Sequence, residues 1–395
     1  MRVIGLISGT SYDAIEVAAA DLEVAGDEVR LVPLGAASVP YPEDIRRDIA
    51  AALPPAPTTM EAVCRLDTRI GQAFAEAAAR ALEQLCAGAA DLAVSHGQTL
   101  FHWVAGGTAE GTLQLGQPAW IAERTGLPVI SDLRSRDIAA GGQGAPLVSL
   151  VDVLLLRGRS GIAAALNLGG IANMTVVPAG DEPLAFDVGP ANALIDTAVH
   201  HLTDGALGYD EDGRLAASGR VSSELLEELL SDPYYQAPPP KSTGKEHFHL
   251  TYLLEMLARR PRLAPADVVA TLSRLTARTV ADACRSHGVT ELIASGGGTK
   301  NPVVMGMLRE ELPGTAVGTV SALGLPPTAK EAYAFAVLGF LTAHGLPGTV
   351  PSCTGARHAT VLGSVTPGSG RFTLAVTDRT RGSLASPVVL RVLPR

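Results

Sequence analysis

Two kinds of apolar spacing alternate along the first hundred residues. Short apolar runs, one of them alternating at every second residue, predict three strands, at 2–7, 15–24 and 29–39. Longer stretches at 41–53 and 60–87 predict two helices, with an apolar face in the second and the proline-rich PPAPTT between them. A fourth strand, DLAVSHGQT, follows at 91–99. The predicted order is therefore strand, strand, strand, helix, helix, strand.

The same order returns in the second half of the chain. IAAALNLGGIANMTVV at 162–177 is a strand, a glycine-rich turn and a strand, and PLAFDVGPAN at 183–192 contains a third strand. A helix follows at 191–202, and VTELIASGGG at 289–298 is a strand that runs into glycines. The repetition has no fixed period, so it predicts two α/β lobes of similar plan rather than a tandem repeat.

The length of the chain supports two lobes, because 395 residues are too many for one compact core. We place lobe I at 1–130 with about 360–395, and lobe II at 131–359. With 47% apolar and 18% charged residues, the composition is that of a folded globular protein. The net charge of −9 argues against nucleic acid as a partner and against a polybasic membrane anchor.

The cysteines and the apolar segments indicate the compartment. Four cysteines lie far apart without metal-ligand or redox spacing, which predicts free thiols: Cys64, Cys86, Cys284 and Cys353. The opening MRVIGLI is too short for a signal-peptide core, and AYAFAVLGFLTA at 332–343 is shorter than a membrane-spanning helix. We therefore expect a cytoplasmic protein with no membrane partner.

The turn between the first two strands is the first candidate site. Gly9 can take a positive φ and bring the backbone close to a ligand, and successive N–H groups with the hydroxyls of Thr10 and Ser11 form a nest for an anion. A carboxylate beside a triphosphate needs a bridging divalent cation, so Asp13 favours phosphate with Mg²⁺ over a plain surface hairpin. No Walker sequence occurs, so the turn is not a P-loop.

A second glycine-rich turn, within NLGGIANMT at 167–175, has the matching place in the second lobe. Alone it is an ordinary tight turn. Paired with the first turn, it suggests a clamp on two sides of a phosphate chain. SGGGTKNP at 295–302 suits a flat adenine or ribose lying against the backbone, or is simply a loop.

Five predicted strands end in reactive or glycine-rich turns, at Ser8, His96, Asp132, Asp187 and Gly296. Ligands of open α/β sheets bind beyond the carboxyl ends of the strands. Asp187 is a helix N-cap, a turn former or a general base, and we favour the base because the apolar strand behind it would partly desolvate the carboxylate. For His96, a structural and a catalytic role are equally supported.

The charged stretch SDLRSRDIAAGGQGAP at 131–146 is a candidate for holding an anionic substrate. Mixed charge of this kind is usual in a solvated loop, but the glycines that follow indicate close packing or an ordered site. An arginine here suits a bidentate contact with a carboxylate. Glu331, in the first turn of a later helix, is explained by the helix dipole alone.

Together these motifs resemble one family, the anhydro-N-acetylmuramic acid kinases of the sugar-kinase and actin superfamily. The resemblance spans about 3–368, and nine stretches in order carry it. They are GLISGTSYDAIEVA, SHGQTLFH, TLQLGQPAWIAERTGLPVISDLRSRDIAAGGQGAPLV, NLGGIANMT, FDVGPANALID, YDEDGRLAASG, PPPKSTGKE, SGGGTKNP and AKEAYAFAVLGF. The resemblance implies an α/β protein with the two-lobed actin-like (RNase H-like) ATPase fold and a deep interlobe cleft.

The resemblance also implies a reaction and its residues. Such a kinase uses ATP and water to open 1,6-anhydro-N-acetylmuramic acid, giving N-acetylmuramic acid 6-phosphate and ADP. Asp187 would activate the water, and His96, Thr99, Arg136 and Glu331 would bind the sugar. ATP, with Mg²⁺ on Asp13, would be bound by Gly9, Thr10, Ser11, Tyr12, Asp13, Ala14, Ile15, Glu16, Gly169, Gly170, Gly296, Gly297 and Asn301. The family further suggests a homodimer.

The sequence departs from the usual family pattern at Ala14 and Ala191, where glycine is usual, and at Glu16 and Thr328, where aspartate is usual. Two other functions are therefore open. One is a kinase for a related anhydrosugar without the lactyl acid, such as levoglucosan. The other is an actin-like ATP-binding protein with reduced catalysis.

Overall fold

The computed structural model describes residues 1–9, 11–239, 241–244, 247–260, 262–370 and 386–395. The chain divides into two compact units. Unit 1 comprises Met1–Leu155 and Ala329–Arg395, and unit 2 comprises Leu156–Thr328. The sequence-based division instead changes lobe after 130 and after 359. The second boundary lies earlier than predicted because a helix that starts just after Ala329 packs on the sheet of unit 1.

The strands of the described residues are β1 (Arg2–Ser8), β2 (Ala14–Ala25), β3 (Glu28–Pro40), β4 (Leu92–Ala105), β5 (Thr108–Leu115), β6 (Val129–Ser131), β7 (Ala163–Leu168), β8 (Ile171–Val177), β9 (Leu184–Pro190), β10 (Glu291–Ser295), β11 (Ala316–Thr319), β12 (Ser364–Thr366) and β13 (Val389–Val392). Their helices are α1 (Glu43–Ala52), α2 (Met60–Gln84), α3 (Pro118–Thr125), α4 (Ser135–Ala139), α5 (Ser149–Leu156), α6 (Asn192–Leu202), α7 (Arg214–Ser218), α8 (Ser223–Leu230), α9 (Leu250–Ala258), α10 (Pro265–Ser286), α11 (Pro302–Glu311), α12 (Lys330–Ala343) and α13 (Pro351–Thr354). The strands and helices named above from the apolar pattern are all present.

Unit 1 is built on a sheet with the strand order β12-β6-β4-β1-β2-β3-β13, and β5 pairs with β4. β4 and β6 run parallel to β1 in this sheet, whereas β2 is antiparallel to β1 and β3. The side chains of Ile4 and Leu6 pack in one core cluster with Phe74 of α2. Gly5, between them in β1, faces the opposite side of the sheet, where α12 packs against it. Both faces of the central strands are therefore covered by helices.

Unit 2 has a five-stranded sheet with the order β11-β10-β7-β8-β9. β10 and β11 run parallel to β7, and β8 is antiparallel to both β7 and β9. Its core joins strand residues such as Leu166 and Met174 to Leu194 of α6 and Leu275 of α10.

The two sheets share one topology. When β1, β2, β3, β4 and β6 of unit 1 and β7–β11 of unit 2 are each numbered one to five, both sheets have the order 5-4-1-2-3 with strand two antiparallel. This is the duplicated RNase H-like arrangement of actin-like ATPases. It confirms the predicted fold class and the repeated plan read from the sequence.

Gly5 allows a very close approach between β1 and α12. A Cβ on Gly5 would lie 2.1 Å from the carbonyl oxygen of Ala332 and 2.7 Å from the nitrogen of Ala336. Both are backbone atoms, so only a shift of the helix relieves the clash. We expect Gly5→Ala to lower the free energy of unfolding of unit 1 by about 3 kcal/mol, the upper end of overpacking effects.

Urea unfolding measures this effect against a matched glycine variant. Gly306 lies inside α11, where a Cβ would meet nothing within 4 Å. Gly306→Ala should therefore raise stability, by about 0.5–1 kcal/mol, because alanine favours a helix interior. A Gly5→Ala protein as stable as the wild type would contradict the packing described.

The end of the chain adds an edge strand to unit 1. β13 pairs with β3 in parallel, and Leu390 within it is buried. Apolar and polar residues alternate in RFTLAVTDR at 371–379 and in SPVVLRVL at 386–393, a pattern that predicts edge strands. β13 confirms the second of these strands, and the first lies outside the described residues. No helix among the described residues is both long enough and apolar enough to cross a membrane.

Candidate active site

Three of the five predicted strand ends are confirmed. β1 ends at Ser8, while Asp132 and Gly296 directly follow β6 and β10. The other two predictions are wrong. β4 continues through His96 because its second half forms a hairpin with β5, and β9 continues beyond Asp187 because it stays paired with β8.

The turn between β1 and β2 is held at its first residues by buried hydrogen bonds. Ser8 is aligned with Gln98 of β4. The Ser8 hydroxyl donates to Gln98 Oε1 (2.5 Å), and Gln98 Nε2 donates to the carbonyl oxygen of Gly9 (3.2 Å). Both side chains are almost fully buried, so water does not compete for these bonds. Gln98 therefore fixes the place where the turn leaves the sheet.

The conformation of this turn differs from the prediction. A positive φ occurs at Tyr12 (43°) and not at Gly9. The Tyr12 N–H donates to the Gly9 carbonyl oxygen (3.1 Å) and closes the turn. A Cβ on Gly9 would still meet nothing within 4 Å. Open space of this kind beside the backbone suits a phosphate group. Thr10, also predicted to bind phosphate, lies outside the described residues.

Asp13 is the exposed carboxylate of the turn. Its Oδ1 accepts from the Ser11 hydroxyl (2.6 Å) and from the Ala14 N–H (3.1 Å), while its Oδ2 accepts no hydrogen bond within the described part of the chain. Within that same part, no group of three His, Cys, Asp or Glu residues is placed to hold a metal ion. Mg²⁺ on a nucleotide is usually bound through one or two carboxylates together with the phosphates, so Asp13 alone is sufficient as a protein ligand at this turn.

The remaining residues predicted at this turn belong to β2. Ile15 is buried in the core of unit 1, and Glu16 accepts a hydrogen bond from the Ser38 hydroxyl (2.6 Å). Ala14, where the family usually has glycine, has no positive φ, and neither does Ala191. Neither position therefore has the left-handed backbone conformation that favours glycine.

His96 is a buried hydrogen-bond acceptor. Its Nδ1 lies 2.9 Å from the Gly97 carbonyl oxygen, which can only accept, so Nδ1 carries the proton. Its Nε2 then accepts from Arg134 Nε (2.9 Å), and Arg134 also donates through Nη1 to the Gly144 carbonyl oxygen (2.6 Å). Burial, with a further contribution from the Arg134 charge, lowers the pKa of His96 to about 3. The neutral ring therefore orients Arg134 and does not act as an acid or a base near pH 7.

Arg134 belongs to a group of charges around Glu331. Burial raises the pKa of the Glu331 carboxyl; the positive charges of Lys330 and Arg134 oppose the rise, whereas Asp152 and Glu16 add to it. Burial also lowers the pKa of Arg134 to about 10, against the opposing effect of nearby carboxylates. Lys330 and Asp152 are themselves buried and form an ion pair. The two cations thus favour the ionised form of Glu331, against the effect of burial.

The other predicted sugar-binding residues lie apart from this group. Arg136 is exposed on α4, and its side chain makes no hydrogen bond or ion pair with a described residue. Thr99 Oγ1 accepts from Gln114 Nε2 (3.2 Å). His96 and Glu331 therefore share Arg134 as a neighbour. The assignment of sugar binding to all four residues stays a prediction.

In unit 2, both carboxylate oxygens of Asp187 accept hydrogen bonds. Asn173 Nδ2 donates to Oδ1, and the Thr243 N–H donates to Oδ2 (2.9 Å). The register of β8 and β9 shifts by one residue at Val188, so that Asn173 pairs with Asp187. Irregularities of this kind re-aim side chains in strands. The carboxylate is partly exposed and has a defined orientation.

The second glycine-rich turn contacts the helix that follows Asp187 in the chain. The Gly169 carbonyl oxygen accepts from the Asn192 N–H (3.1 Å), and the Gly170 carbonyl oxygen accepts from the N–H groups of Ala191 (3.0 Å) and Ala193 (3.1 Å). The turn thereby satisfies N–H groups at the start of α6 that have no partner inside the helix. Its contact with ATP stays a prediction.

The glycines after β10 differ in what surrounds them. A Cβ on Gly296, where φ is 88°, would lie 2.5 Å from a side-chain oxygen and 2.8 Å from a carbonyl oxygen of β7, so packing requires glycine here. Gly297 is exposed, and its Cβ would meet nothing within 4 Å. Asn301 Oδ1 accepts from two N–H groups in the first turn of α11 and caps that helix. Of the three, Gly297 offers the most room for a ligand.

The low pKa of His96 predicts how stability depends on pH. The pKa is about 3 in the folded protein and 6.5 ordinarily, so the unfolded chain takes up this proton first as the pH falls. The contribution of His96 to stability is therefore complete above pH 6.5 and declines towards pH 3. We expect His96→Gln, which keeps an acceptor for Arg134, to lose less stability than the wild type between pH 7 and pH 4.

Urea unfolding at the two pH values tests this prediction. His358 is exposed, so His358→Gln serves as the control and should lose as much stability as the wild type. A loss in His96→Gln equal to that in the wild type would contradict the buried neutral histidine.

The family profile described as anhydro-N-acetylmuramic acid kinase matches residues 1–368 of this chain. The chain belongs to this family. Three relatives named anhydro-N-acetylmuramic acid kinase are similar to it. That of Streptomyces coelicolor is 66% identical over 368 residues, covering 93% of this chain and 94% of the relative. Those of Streptomyces avermitilis and Rhodococcus erythropolis are 64% and 60% identical, each covering 93% of this chain and 95% of the relative.

The match confirms that the sequence motifs of this chain resemble those of this kinase family. Sequence reasoning did not assign a role to three side chains that hold the candidate residues: Gln98, Arg134 and Asn173. Gln98 and Arg134 stand in motifs quoted above, and the apolar GLPVI just before Arg134 signals that this arginine, rather than Arg136, lies close to the buried sheet. Asn173 has no such signal, because its contact with Asp187 depends on the register shift in β9.

Proposed function

We propose that this protein is an ATP-dependent kinase that opens 1,6-anhydro-N-acetylmuramic acid with water and phosphorylates O6, giving N-acetylmuramic acid 6-phosphate and ADP. The observation that carries the proposal is the 60–66% identity to relatives named anhydro-N-acetylmuramic acid kinase, over 93% of the chain. The reaction returns a cell-wall sugar to metabolism.

The chemistry of the substrate explains the need for a base. In the anhydrosugar, O6 is part of an ether bridge and has no proton to lose. Water therefore attacks the anomeric carbon, and the Asp187 carboxylate takes a proton from that water as the bond from the anomeric carbon to O6 breaks. The departing O6 bonds to the γ-phosphorus of ATP, and ADP leaves. The sugar half resembles an inverting glycosidase in which the phosphoryl group replaces the general acid.

The ATP phosphates are proposed to bind at the turn from Gly9 to Glu16. The open space at Gly9 and the exposed Asp13 support this assignment. Asp13 would hold Mg²⁺, which neutralises phosphate charge when bound. In unit 2, the turn at Gly169–Gly170 and the open Gly297 are the proposed further contacts to the nucleotide.

The sugar is proposed to contact His96, Thr99, Arg136 and Glu331. Arg136 is exposed and makes no ion pair with a described residue, which suits a guanidinium that pairs with the lactyl carboxylate of the substrate. His96 contributes through Arg134, which it orients. The use of ATP supports a cytoplasmic location, and we keep the homodimer as part of the proposal.

Asp13→Ala tests the metal assignment. We expect the variant to bind ATP with Mg²⁺ about 10- to 100-fold more weakly, because a carboxylate bond to the cation is lost, while binding of metal-free ATP changes little. Calorimetric titration with and without Mg²⁺ measures both affinities. An equal loss of ATP affinity with and without Mg²⁺ would contradict the assignment of the metal to Asp13.

A coupled assay for ADP release tests the proposed function. With ATP and 1,6-anhydro-N-acetylmuramic acid, we expect release far above the rate without sugar, and little with levoglucosan, which lacks the lactyl carboxylate. Arg136→Ala should lower turnover of the muramic substrate selectively. Background release with every anhydrosugar would contradict the proposal and indicate an ATP-binding protein without kinase activity.

A further inference from the structure

The loop at 241–244 lies along the edge strand β9 at Asp187. The Asp187 N–H donates to the Lys241 carbonyl oxygen (3.0 Å), as in a parallel ladder centred on Ser242. In such a ladder, the Thr243 N–H would donate to the Asp187 carbonyl oxygen. It donates instead to Asp187 Oδ2 (2.9 Å), and the Tyr234 hydroxyl donates to the carbonyl oxygen (2.7 Å). The carboxylate thus takes the place of its own backbone carbonyl in the ladder.

The second carboxylate oxygen is held from the opposite side of β9. Asn173 of β8 donates through Nδ2 to Asp187 Oδ1. Ala172 pairs with Gly189, so an unbroken register would place Asn173 opposite Val188. The register shift brings Asp187 opposite Asn173 instead. The Asp187 carboxylate is therefore held by two irregular features. One is the register shift in β9, and the other is the hydrogen bond from the Thr243 N–H to the carboxylate instead of to the Asp187 carbonyl oxygen.

We propose that Asn173, together with the Thr243 N–H, positions the Asp187 carboxylate for proton transfer from water. One donor on each oxygen fixes the plane of the carboxylate, and both donors favour its ionised form. This inference rests on the proposed role of Asp187 as the base. Asn173 is a positioning residue, since it acts on the reaction through Asp187.

Proton transfer to Asp187 changes the strength of the two hydrogen bonds that its carboxylate accepts. As water attacks the sugar, one O–H bond of the water breaks and its proton passes to an Asp187 oxygen. The carboxylic acid so formed is a poorer acceptor than the carboxylate, so the bonds from Asn173 and Thr243 weaken at that moment. The two donors thus favour the charged form of the resting base and also orient it.

Variants at Asn173 test the proposal. Asn173→Ala removes one charge-assisted hydrogen bond, so we expect kcat to fall roughly 10- to 100-fold with little change in KM for the sugar. The acidic limb of the kcat profile should move to higher pH, by about one unit. Asn173→Asp has the same size but places a second carboxylate beside Asp187, so it should move the limb further.

A second readout does not depend on turnover. In protein with ¹³C-labelled aspartate carboxyl groups, the resonance missing from Asp187→Asn identifies Asp187. We expect its titration midpoint to rise in Asn173→Ala and to rise further in Asn173→Asp. Asn192 donates its side-chain N–H to the Leu168 carbonyl oxygen, so Asn192→Ala is the control for a lost structural amide. It should lower the melting temperature without moving the midpoint.

The outcomes separate this inference from the proposed function. An active wild type whose kcat profile and Asp187 midpoint are unchanged in Asn173→Ala would overturn the positioning role. Normal turnover by Asp187→Asn would overturn it as well, because no base would remain to be positioned. The wild type could turn over no anhydrosugar while the Asp187 titration midpoint rises in the Asn173 variants as expected. That result would contradict the proposed function and still support the hydrogen bond from Asn173 to the Asp187 carboxylate.

Discussion

Asp187→Asn is expected to lower kcat by about 10²–10⁴ with ATP affinity unchanged, because positioned proton transfer contributes a factor of this size. The amide cannot take a proton from water. The fold around it should persist, since two bonds at this residue use its backbone: its N–H donates to Lys241, and its carbonyl oxygen accepts from Tyr234. The loss should therefore appear in the chemical step.

Single-turnover kinetics and ATP titration of Asp187→Asn measure the two quantities separately. Asp181 is an exposed aspartate in the connection between β8 and β9, so Asp181→Asn is a matched control that should behave as the wild type. Turnover by Asp187→Asn within a few fold of the wild type would remove this residue from the mechanism. Loss of ATP binding in the same variant would show that the substitution disturbs more than proton transfer.

Lys330→Met is expected to have the largest effect on stability, lowering the free energy of unfolding by about 3–5 kcal/mol. Lys330 is 3% exposed and its partner Asp152 is 6% exposed. Removing the ammonium group removes the positive charge that faces the buried Asp152 carboxylate. It also removes one of the two cations that oppose the rise in the pKa of Glu331, so this carboxyl should become harder to ionise.

Chemical unfolding of three variants tests the buried pair. The double variant Lys330→Met/Asp152→Asn removes both charges of the pair, so it should lose less stability than Lys330→Met alone. Arg65 and Glu61 form an exposed pair on α2, and Arg65→Met should cost no more than about 1 kcal/mol. A Lys330→Met protein no less stable than Arg65→Met would contradict the importance of the buried pair.

The fold was predictable because apolar spacing decides it locally. β1, β2 and β3 alternate or run apolar between turns, and α2 has a helical apolar face, so each element is visible in its own residues. The repeated order then implies two similar sheets. The ends of β4 and β9 were not predictable, because pairing with a neighbouring strand extends both beyond the polar residues that mark an end.

The candidate site was predictable only in part, because some of its contacts join residues that are distant in the sequence. Asp187 and the turn at Gly9 stand out because their residue types are unusual at the places where they occur. Arg134 and Arg136 are two residues apart in the same charged stretch, and only the folded chain shows that Arg134 meets His96. Asn173 meets Asp187 through a one-residue shift in register, which no local pattern reveals.

The most direct test of the whole account is real-time proton NMR of the sugar during turnover, with ADP measured in the same sample. Attack by water opposite the departing O6 predicts that the α-anomer of N-acetylmuramic acid 6-phosphate appears first, with one ADP formed per sugar opened. A product that starts as the β-anomer, or ADP formed while the anhydro bridge stays intact, would contradict it.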